Sequence, residues 1–379
     1  MAKYGLPYMG SKGGICDQLI GVFPRAENFY DLFGGGFSVT HAMLLRRSKH
    51  YDNFYFNEIR PGICELISDA IKGKYSYKHF KPIFVDRETF FKNVNEDIYI
   101  KMFWSFGNNG KTYLCSKEIE TYKRSMHNAI VFNEFDSLAE NVFGCKKFRD
   151  GLSINEKRLF LRNKIERYRT TKIPEFLFPF LDEKQLQQLE RLEQLQQLQQ
   201  LERLEQLQQL ERLQQLQQLE RLEQLQQLER LQQLERLNFS NLSYESVPIK
   251  DNSIIYCDPP YNSTGGYDNK NFDTRKFLDW AHAQQNPVFI SEYKITDKRF
   301  LPVFKIKKRS MFSKERIKGN PVIKNEMIYA NQAAIARLRE LQDYIPTGQF
   351  DPKKTYAGEW KFLGDQNEKP IEDLNENEK

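Results

Sequence analysis

Ser253-Ile254-Ile255-Tyr256-Cys257-Asp258-Pro259-Pro260-Tyr261 is the stretch on which the fold turns. A short apolar run reads as a buried strand, and it stops at a carboxylate followed by two prolines. Proline fixes φ and carries no N–H, so the pair ends a central strand and leaves carbonyls without neighbouring N–H groups. Open α/β sheets bind ligands outside the carboxyl ends of their strands. This strand therefore delivers an acid, an exposed carbonyl and an aromatic ring to a binding edge. A planar amine could donate to Asp258 and to the Pro259 carbonyl while Tyr261 stacks on its ring.

Short apolar runs alternate with helical stretches on both sides of this segment, the pattern of an α/β protein. The predicted strands are Asn28–Phe33, Phe54–Asn57, Leu237–Asn241, Ser253–Cys257, Pro287–Ser291, Phe304–Lys308 and Met327–Tyr329. Aromatic, Lys-rich and helix-prone sequence from Tyr75 to Glu183 interrupts the series. The simplest architecture is a sheet domain split by an insertion. Residues 1–73 and 238–363 make the domain, 74–184 an inserted mainly helical region, 185–237 a repeat arm and 364–379 an acidic tail expected to be disordered.

Two further features fall at predicted strand ends. Asp31-Leu32-Phe33-Gly34-Gly35-Gly36-Phe37-Ser38 lies between the first strand and a helical run. Glycines at a strand-to-helix turn let the backbone approach a ligand, but no GK[ST] follows and GxGxxG is incomplete, so a sharp turn without a ligand is the alternative. Glu58 ends the next strand, where an acid can accept from ribose hydroxyls in doubly wound sheets or simply be solvated.

At 379 residues, with 40 % hydrophobic and 13 % aromatic residues, the chain can fill more than one core. No run of about 18 uncharged apolar residues and no signal-like segment occurs, which argues against a membrane span or secretion. The five cysteines are scattered without a CxxC pair, and the five histidines lack metal-binding spacing. A reduced cytoplasmic setting and no metal are expected. The formal charge of +6 hides a division. Gln185–Leu237 has nine Glu against six Arg and Gly364–Lys379 six acids against two Lys, which leaves +13 on the rest. So basic a body suits a polyanion such as nucleic acid.

From Leu186 to Leu237 leucine returns at every third residue, with only Gln, Glu and Arg between. All are good helix formers, but a three-residue step lags the α-helical turn by about 60°, so the leucines circle the helix and form no heptad seam. One straight helix would reach roughly 80 Å. A spacer of variable length is one reading, and an arm that clamps DNA or mediates self-association is the other.

With these residues in place, the chain resembles the Dam-like, often phage-encoded, N6-adenine DNA methyltransferases. The resemblance runs through Pro7-Tyr8-Met9-Gly10-Ser11-Lys12, Asp31–Ser38, Asn57-Glu58, Asp258–Tyr261 and Ile290-Ser291-Glu292-Tyr293. It implies a Rossmann-like methyltransferase sheet, S-adenosylmethionine as cofactor, and double-stranded DNA as partner, with the insertion as the target-recognition region. Roles follow by position. Tyr8, Gly10 and Lys12 would lie near the methionine end of the cofactor, Asp31, Phe33, Gly34, Gly35 and Gly36 would shape its pocket, and Glu58 would take the ribose. Asp258, Pro259, Pro260 and Tyr261 would act on the base. The family's usual Phe-x-Gly-x-Gly turn departs here, since Phe37 stands at its last glycine.

The implied reaction suits these residue types. The N6 lone pair of adenine is delocalised, and acceptors for both amino hydrogens would help the nitrogen attack a sulfonium methyl directly. The base must first leave the duplex stack. Asp in the first motif position favours adenine over the N4-cytosine relatives, which tend to carry Ser. In the insertion, Lys123, Lys146, Lys147, Arg149, Lys157 and Arg158 are among the expected phosphate anchors. Asn108, Asn109, Lys111 and Arg124 are candidates for base contacts. Phe103, Trp104 and Phe106 are expected to pack the insertion against the sheet. Two rivals fit the same residues: this fold acting on RNA or a protein amide, and a DNA-binding protein without catalysis.

Overall fold

The computed structural model describes residues 4–6, 8, 10–76, 80–108, 110–168, 225, 228, 231, 234–260, 272–310 and 322–344. The repeat arm, apart from a few leucines and its last residues, lies outside them, as do the acidic tail, Pro7, Met9, Asn109 and Tyr261. The chain divides into two compact units, Met1–Gly73 with Gln227–Lys379, and Lys74–Gln226.

The first unit is a seven-stranded mixed sheet with helices, a Rossmann-like α/β fold. Its strands are β1 (Asn28–Asp31), β2 (Asn53–Asn57), β3 (Leu237–Ser240), β4 (Ser253–Cys257), β5 (Val288–Glu292), β6 (Leu301–Ser310) and β7 (Val322–Ala330). Their order is β3-β2-β1-β4-β5-β7-β6. β1 to β5 pair in parallel and β7 runs antiparallel to both β5 and β6. β1 and β4 are buried at every residue, as strands covered on both faces must be, and in β4 this is why Ile254–Cys257 reads as a continuous apolar run.

The helices of this unit are α1 (Cys16–Leu19), α2 (Ser38–Arg46), α3 (Ile63–Ile71), α9 (Thr274–Ala283) and α10 (Gln332–Tyr344). One core gathers Tyr30, Ile255, Cys257, Val288 and Ile290 from the sheet with Phe277 and Ala281 from α9. Another packs Phe23 edgewise or tilted against Phe29, Tyr256 and Phe289 at 5.3–5.4 Å between ring centroids. The last residues of the repeat run into β3, where the Arg236 guanidinium donates to the carbonyls of Asp52 (2.6 Å) and Ser48 (3.1 Å).

The second unit contains α4 (Arg87–Asn93), α5 (Ile98–Phe103), α6 (Glu120–Phe132), α7 (Ser137–Phe143) and α8 (Ile154–Tyr168). Asp86, Asp97 and Asp136 cap α4, α5 and α7 through their side chains, satisfying N–H groups that helix starts leave orphaned. A reciprocal Ser153–Glu156 capping box starts α8.

Candidate active site

The site assembles where the parallel strands end. β1 ends at Asp31, β2 leads into Glu58, β4 into Asp258, and β5 ends at Glu292. β1 and β4 are neighbours, so the winding of the sheet reverses between them, the switch point at which such sheets bind ligands. Asp31 pairs in register with Tyr256, which puts Asp258 just past the same edge.

The turn after β1 forms the first wall. Gly34 donates its N–H to the Asn57 carbonyl at 2.9 Å, and Phe37 to the Gly34 carbonyl at 2.9 Å. Glu58, only 6 % exposed, straps the turn to β2: Oε2 accepts the Gly35 N–H at 2.7 Å and Oε1 the Arg60 N–H at 3.0 Å. Burial pushes its carboxyl up, and those N–H groups and Arg60 oppose the shift.

Glycine is required here first by the chain's own packing. A Cβ on Gly34 would stand 2.0 Å from the Phe56 ring, and one on Gly36 would stand 2.5 Å from Tyr8 Cβ and 2.9 Å from the Leu6 carbonyl. The Leu6 N–H donates to the Gly36 carbonyl at 2.6 Å, so the N-terminal segment lies directly on the turn. Phe37 adopts φ +68, the left-handed conformation that a glycine would take most easily. It is nonetheless fully buried, with its ring 5.1 Å from Phe56 and 6.3 Å from Phe239. Phe37 thus holds, with a large side chain, a backbone conformation suited to glycine. Phe33 packs among Tyr244, Phe272 and Phe277 at 5.5–5.9 Å.

The N-terminal segment supplies the second wall. Ser11 donates its N–H to the Tyr8 carbonyl at 3.1 Å across a turn in which Gly10 takes φ +82. The Arg60 guanidinium lies 5.1 Å above the Tyr8 ring. Lys12, 4 % exposed, then reaches the centre of the site, its Nζ 2.7 Å from Oδ1 of Asp258 and 3.2 Å from Oε1 of Glu326 on β7. Burial works against its charge, but the two carboxylates outweigh burial and hold the ammonium above the usual lysine range.

Asp31 is enclosed on all sides. Thr40 donates to Oδ2 at 2.8 Å, while Oδ1 is buried without a hydrogen-bond partner among the described residues. Burial pushes this carboxyl up to about 7, the Thr40 hydrogen bond opposes the shift, and the Asp258 and Glu58 charges add to it. Burial likewise raises Glu292 to about 7, with Asp258 and Glu326 adding to the shift. Cys257 is a buried core thiol pushed far up by burial and by Asp31 and Asp258, which makes it a poor nucleophile.

The structure thus brings together Tyr8, Gly10, Lys12, Asp31, Gly34, Gly35, Gly36, Glu58, Asp258, Pro259 and Pro260. It adds Glu326, which no local motif announces, and brings in the carboxyl of Glu292 from the Ile290–Tyr293 stretch.

In the second unit Asn108 takes φ +59, Lys111 is exposed, and Arg124 is half-exposed within 3.8 Å of both Asp86 and Glu120. Three expected phosphate anchors need correction. Lys123, Lys157 and Arg158 are 5 %, 8 % and 6 % exposed, and the Lys157 ammonium lies 5.5 Å from the Phe148 ring centre. Such long stems are drawn into the helical core, out of reach of a phosphate. Lys146, Lys147 and Arg149 remain exposed. Phe103 stacks on Tyr99, Trp104 meets Phe84 and His127, and Phe106 is 45 % exposed, so the buried rings of that trio have partners within their own unit.

Among the described residues no group of three or more His, Cys, Asp or Glu could hold a metal ion, and no helix is long and apolar enough to cross a membrane.

The strand order, with an acid–proline–proline turn at its switch point, defines a class, the Rossmann-like methyltransferases that act on amino groups. Within it, the chain belongs to the D12 class N6 adenine-specific DNA methyltransferase family, whose model matches residues 8–296. It is an enzyme that methylates adenine N6 in DNA at specific sites, with a methyl-donor cofactor, and the RNA, protein-amide and non-catalytic alternatives give way to this. A search of curated proteins found no match to the chain.

Proposed function

We propose that the methyl donor is S-adenosylmethionine and that Asp258, Pro259, Pro260 and Tyr261 present the adenine amino group to it. The observation that carries this reading is Asp258 at the switch point, held through Oδ1 by Lys12 beside the Asp31–Glu58 turn. The donor binds against residues 31–36, with Glu58 at its ribose and Tyr8, Gly10 and Lys12 toward its methionine end. The site suits a cation: a buried acceptor atom on Asp31 has no protein partner among the described residues, and Asp258, Glu292 and Glu326 cluster as acids around Lys12, with Asp31 acting on Asp258's side of the site. When bound, the donor supplies a methyl already activated on a sulfonium, so protein groups need only position and solvate the nucleophile.

With Oδ1 engaged by Lys12, Oδ2 of Asp258 accepts one amino hydrogen and the Pro259 carbonyl the other. Accepting both draws the N6 lone pair out of conjugation and toward the methyl. Asp258, with its side chain 19 % exposed, then takes the proton that N6 loses and passes it to water. Adenine reaches this edge only when flipped from the duplex, at a cost of a few kcal/mol, and Tyr261 replaces its lost stacking. Residues 74–184 read the DNA, with Lys146, Lys147 and Arg149 on phosphates and Asn108, Asn109, Lys111 and Arg124 as the base-contact candidates.

The test is methyl transfer from labelled S-adenosylmethionine to unmethylated duplex DNA, with Asp258→Ala as control and sequencing that detects modified adenines. Label in adenine N6 that disappears in the variant is the expected result. Label that persists in Asp258→Ala removes Asp258 from the chemistry, and no binding of S-adenosylmethionine removes it as donor.

A further inference from the structure

Glu326 is fully buried on β7. It lies beyond residues 8–296, the span that matches the family model. It reaches the site because β7 is antiparallel: Met327 pairs with Glu292 at the carboxyl end of β5, so the middle of β7 passes the edge where the parallel strands stop. There its Oε1 stands 3.2 Å from the same Lys12 Nζ that stands 2.7 Å from Asp258 Oδ1. One buried ammonium thus serves two carboxylates. Enclosing a second acid carries a desolvation cost, and well-packed apolar residues in its place are often as stable or more so. Stability alone therefore gives a weak reason for Glu326. Geometry gives a better one: Lys12 is gripped from the sheet side, and its donor to Asp258 is held in a single direction.

We infer that Glu326 is a positioning residue for methyl transfer, acting through Lys12 to fix which oxygen of Asp258 faces the adenine amino group. This rests on the assignment of Asp258 to the chemistry. Without Glu326 the ammonium loses its hold from β7, Oδ1 and Oδ2 can exchange roles, and the amine loses its aligned acceptor. The misalignment affects the chemical step, because neither the cofactor nor the duplex touches Glu326 in this reading.

The variant to make is Glu326→Gln, which keeps the volume and an acceptor atom but removes the charge. Wild type and Asp258→Ala are assayed alongside it. A kcat roughly 10- to 100-fold below wild type is expected, since misplacement of reacting groups by about 1 Å can cost that much. KM for S-adenosylmethionine and for DNA should stay within about threefold, and Glu326→Asp should recover part of the rate. The deciding measurement is Glu326→Gln in a Lys12→Met background. If Glu326 acts through Lys12, it should then change kcat by less than about twofold, because coupled residues are not additive. A folded Glu326→Gln enzyme with wild-type kcat overturns the inference, and so does a full, multiplicative loss in the Lys12→Met background. If Asp258→Ala is as active as wild type, the assignment of Asp258 fails instead, and the two failures are distinct.

Discussion

Oε2 of Glu58 accepts the Gly35 N–H at 2.7 Å, while its other oxygen accepts the Arg60 N–H at 3.0 Å, so one side chain bridges the glycine turn and the end of β2. Both donors are N–H groups, and glutamine cannot serve both, because its NH2 would face one of them. Glu58→Gln and Glu58→Ala should each lose about 1.5–3 kcal/mol of folding stability, the usual worth of hydrogen bonds to a charged partner. Each should also raise the dissociation constant for S-adenosylmethionine at least tenfold. Urea unfolding and calorimetric titration measure the two effects, and a Glu58→Gln protein with unchanged midpoint and affinity would refute both roles.

Asp31 makes stability depend on pH in a defined direction. Its folded-state value of about 7 lies above the ordinary 3.8, so its contribution is present in full below about pH 4 and is lost as pH rises through 7. The loss is on the order of 4 kcal/mol at most, taking about 1.4 kcal/mol for each tenfold change. Asp31→Asn keeps the acceptor for Thr40 and removes the ionisation. Melting curves of the ligand-free proteins should therefore draw apart between pH 4 and pH 8, with the variant the more stable at the high end. Parallel curves would mean that Asp31 stays ionised in the fold.

Phe37 sets backbone strain against burial. The left-handed conformation costs a non-glycine residue about 1–2 kcal/mol, whereas truncating a buried Phe costs about 3–5 kcal/mol. Burial wins, so Phe37→Gly should destabilise by roughly 2 kcal/mol although it restores the glycine usual at that place. Phe37→Ala keeps the strain and loses the ring, and should be the least stable of the three. Denaturant midpoints in any other order contradict this account.

Gly36→Ala should be severe and Gly14→Ala neutral. The added methyl meets Tyr8 Cβ at 2.5 Å in the first case and nothing within 4 Å in the second. Thermal shift and S-adenosylmethionine binding should both fall for Gly36→Ala, since the displaced segment carries Tyr8 and Lys12.

Exposed and buried cations of the insertion should separate cleanly. Replacing Lys146, Lys147 and Arg149 by Ala should weaken DNA binding and lower the slope of log affinity against log salt by up to about 3, near 0.9 per phosphate contact. Lys157→Ala should lower the melting temperature and leave that slope unchanged, because Lys157 is buried.

Much of the sheet was legible because parallel strands covered on both faces are written as apolar runs, and β4 occupies the predicted Ser253–Cys257. β6 and β7 extend well beyond the predicted Phe304–Lys308 and Met327–Tyr329. They form an antiparallel pair at the sheet's edge, where Lys305 and Lys307 dilute the apolar signal. Asp31, Glu58 and Asp258 are legible as strand-end acids because Asp31 closes β1 and the other two directly follow β2 and β4. Glu326 is not, since a single acid inside a strand has no spacing to betray it and its partner Lys12 is far away in the sequence. Nor does a lysine's letter tell whether its stem lies along the surface or inside a helical core, which is why Lys123, Lys157 and Arg158 were misplaced.

The split sheet also sets a timetable for synthesis. β1 lies between β2 and β4, and its register partner for Asn28 on the β4 side is Ser253. Ribosomes add about 5–20 residues per second, so the first two strands wait on the order of 10–40 s with open hydrogen-bonding edges. Unpaired, apolar edges invite pairing with other chains. The glycine turn, packed under Leu6 and Tyr8 and strapped by Glu58, is the part of the catalytic unit that can close before the remaining strands arrive. Nascent chains halted before β4 should accordingly be the ones that chaperones retain and that aggregate when chaperones are scarce.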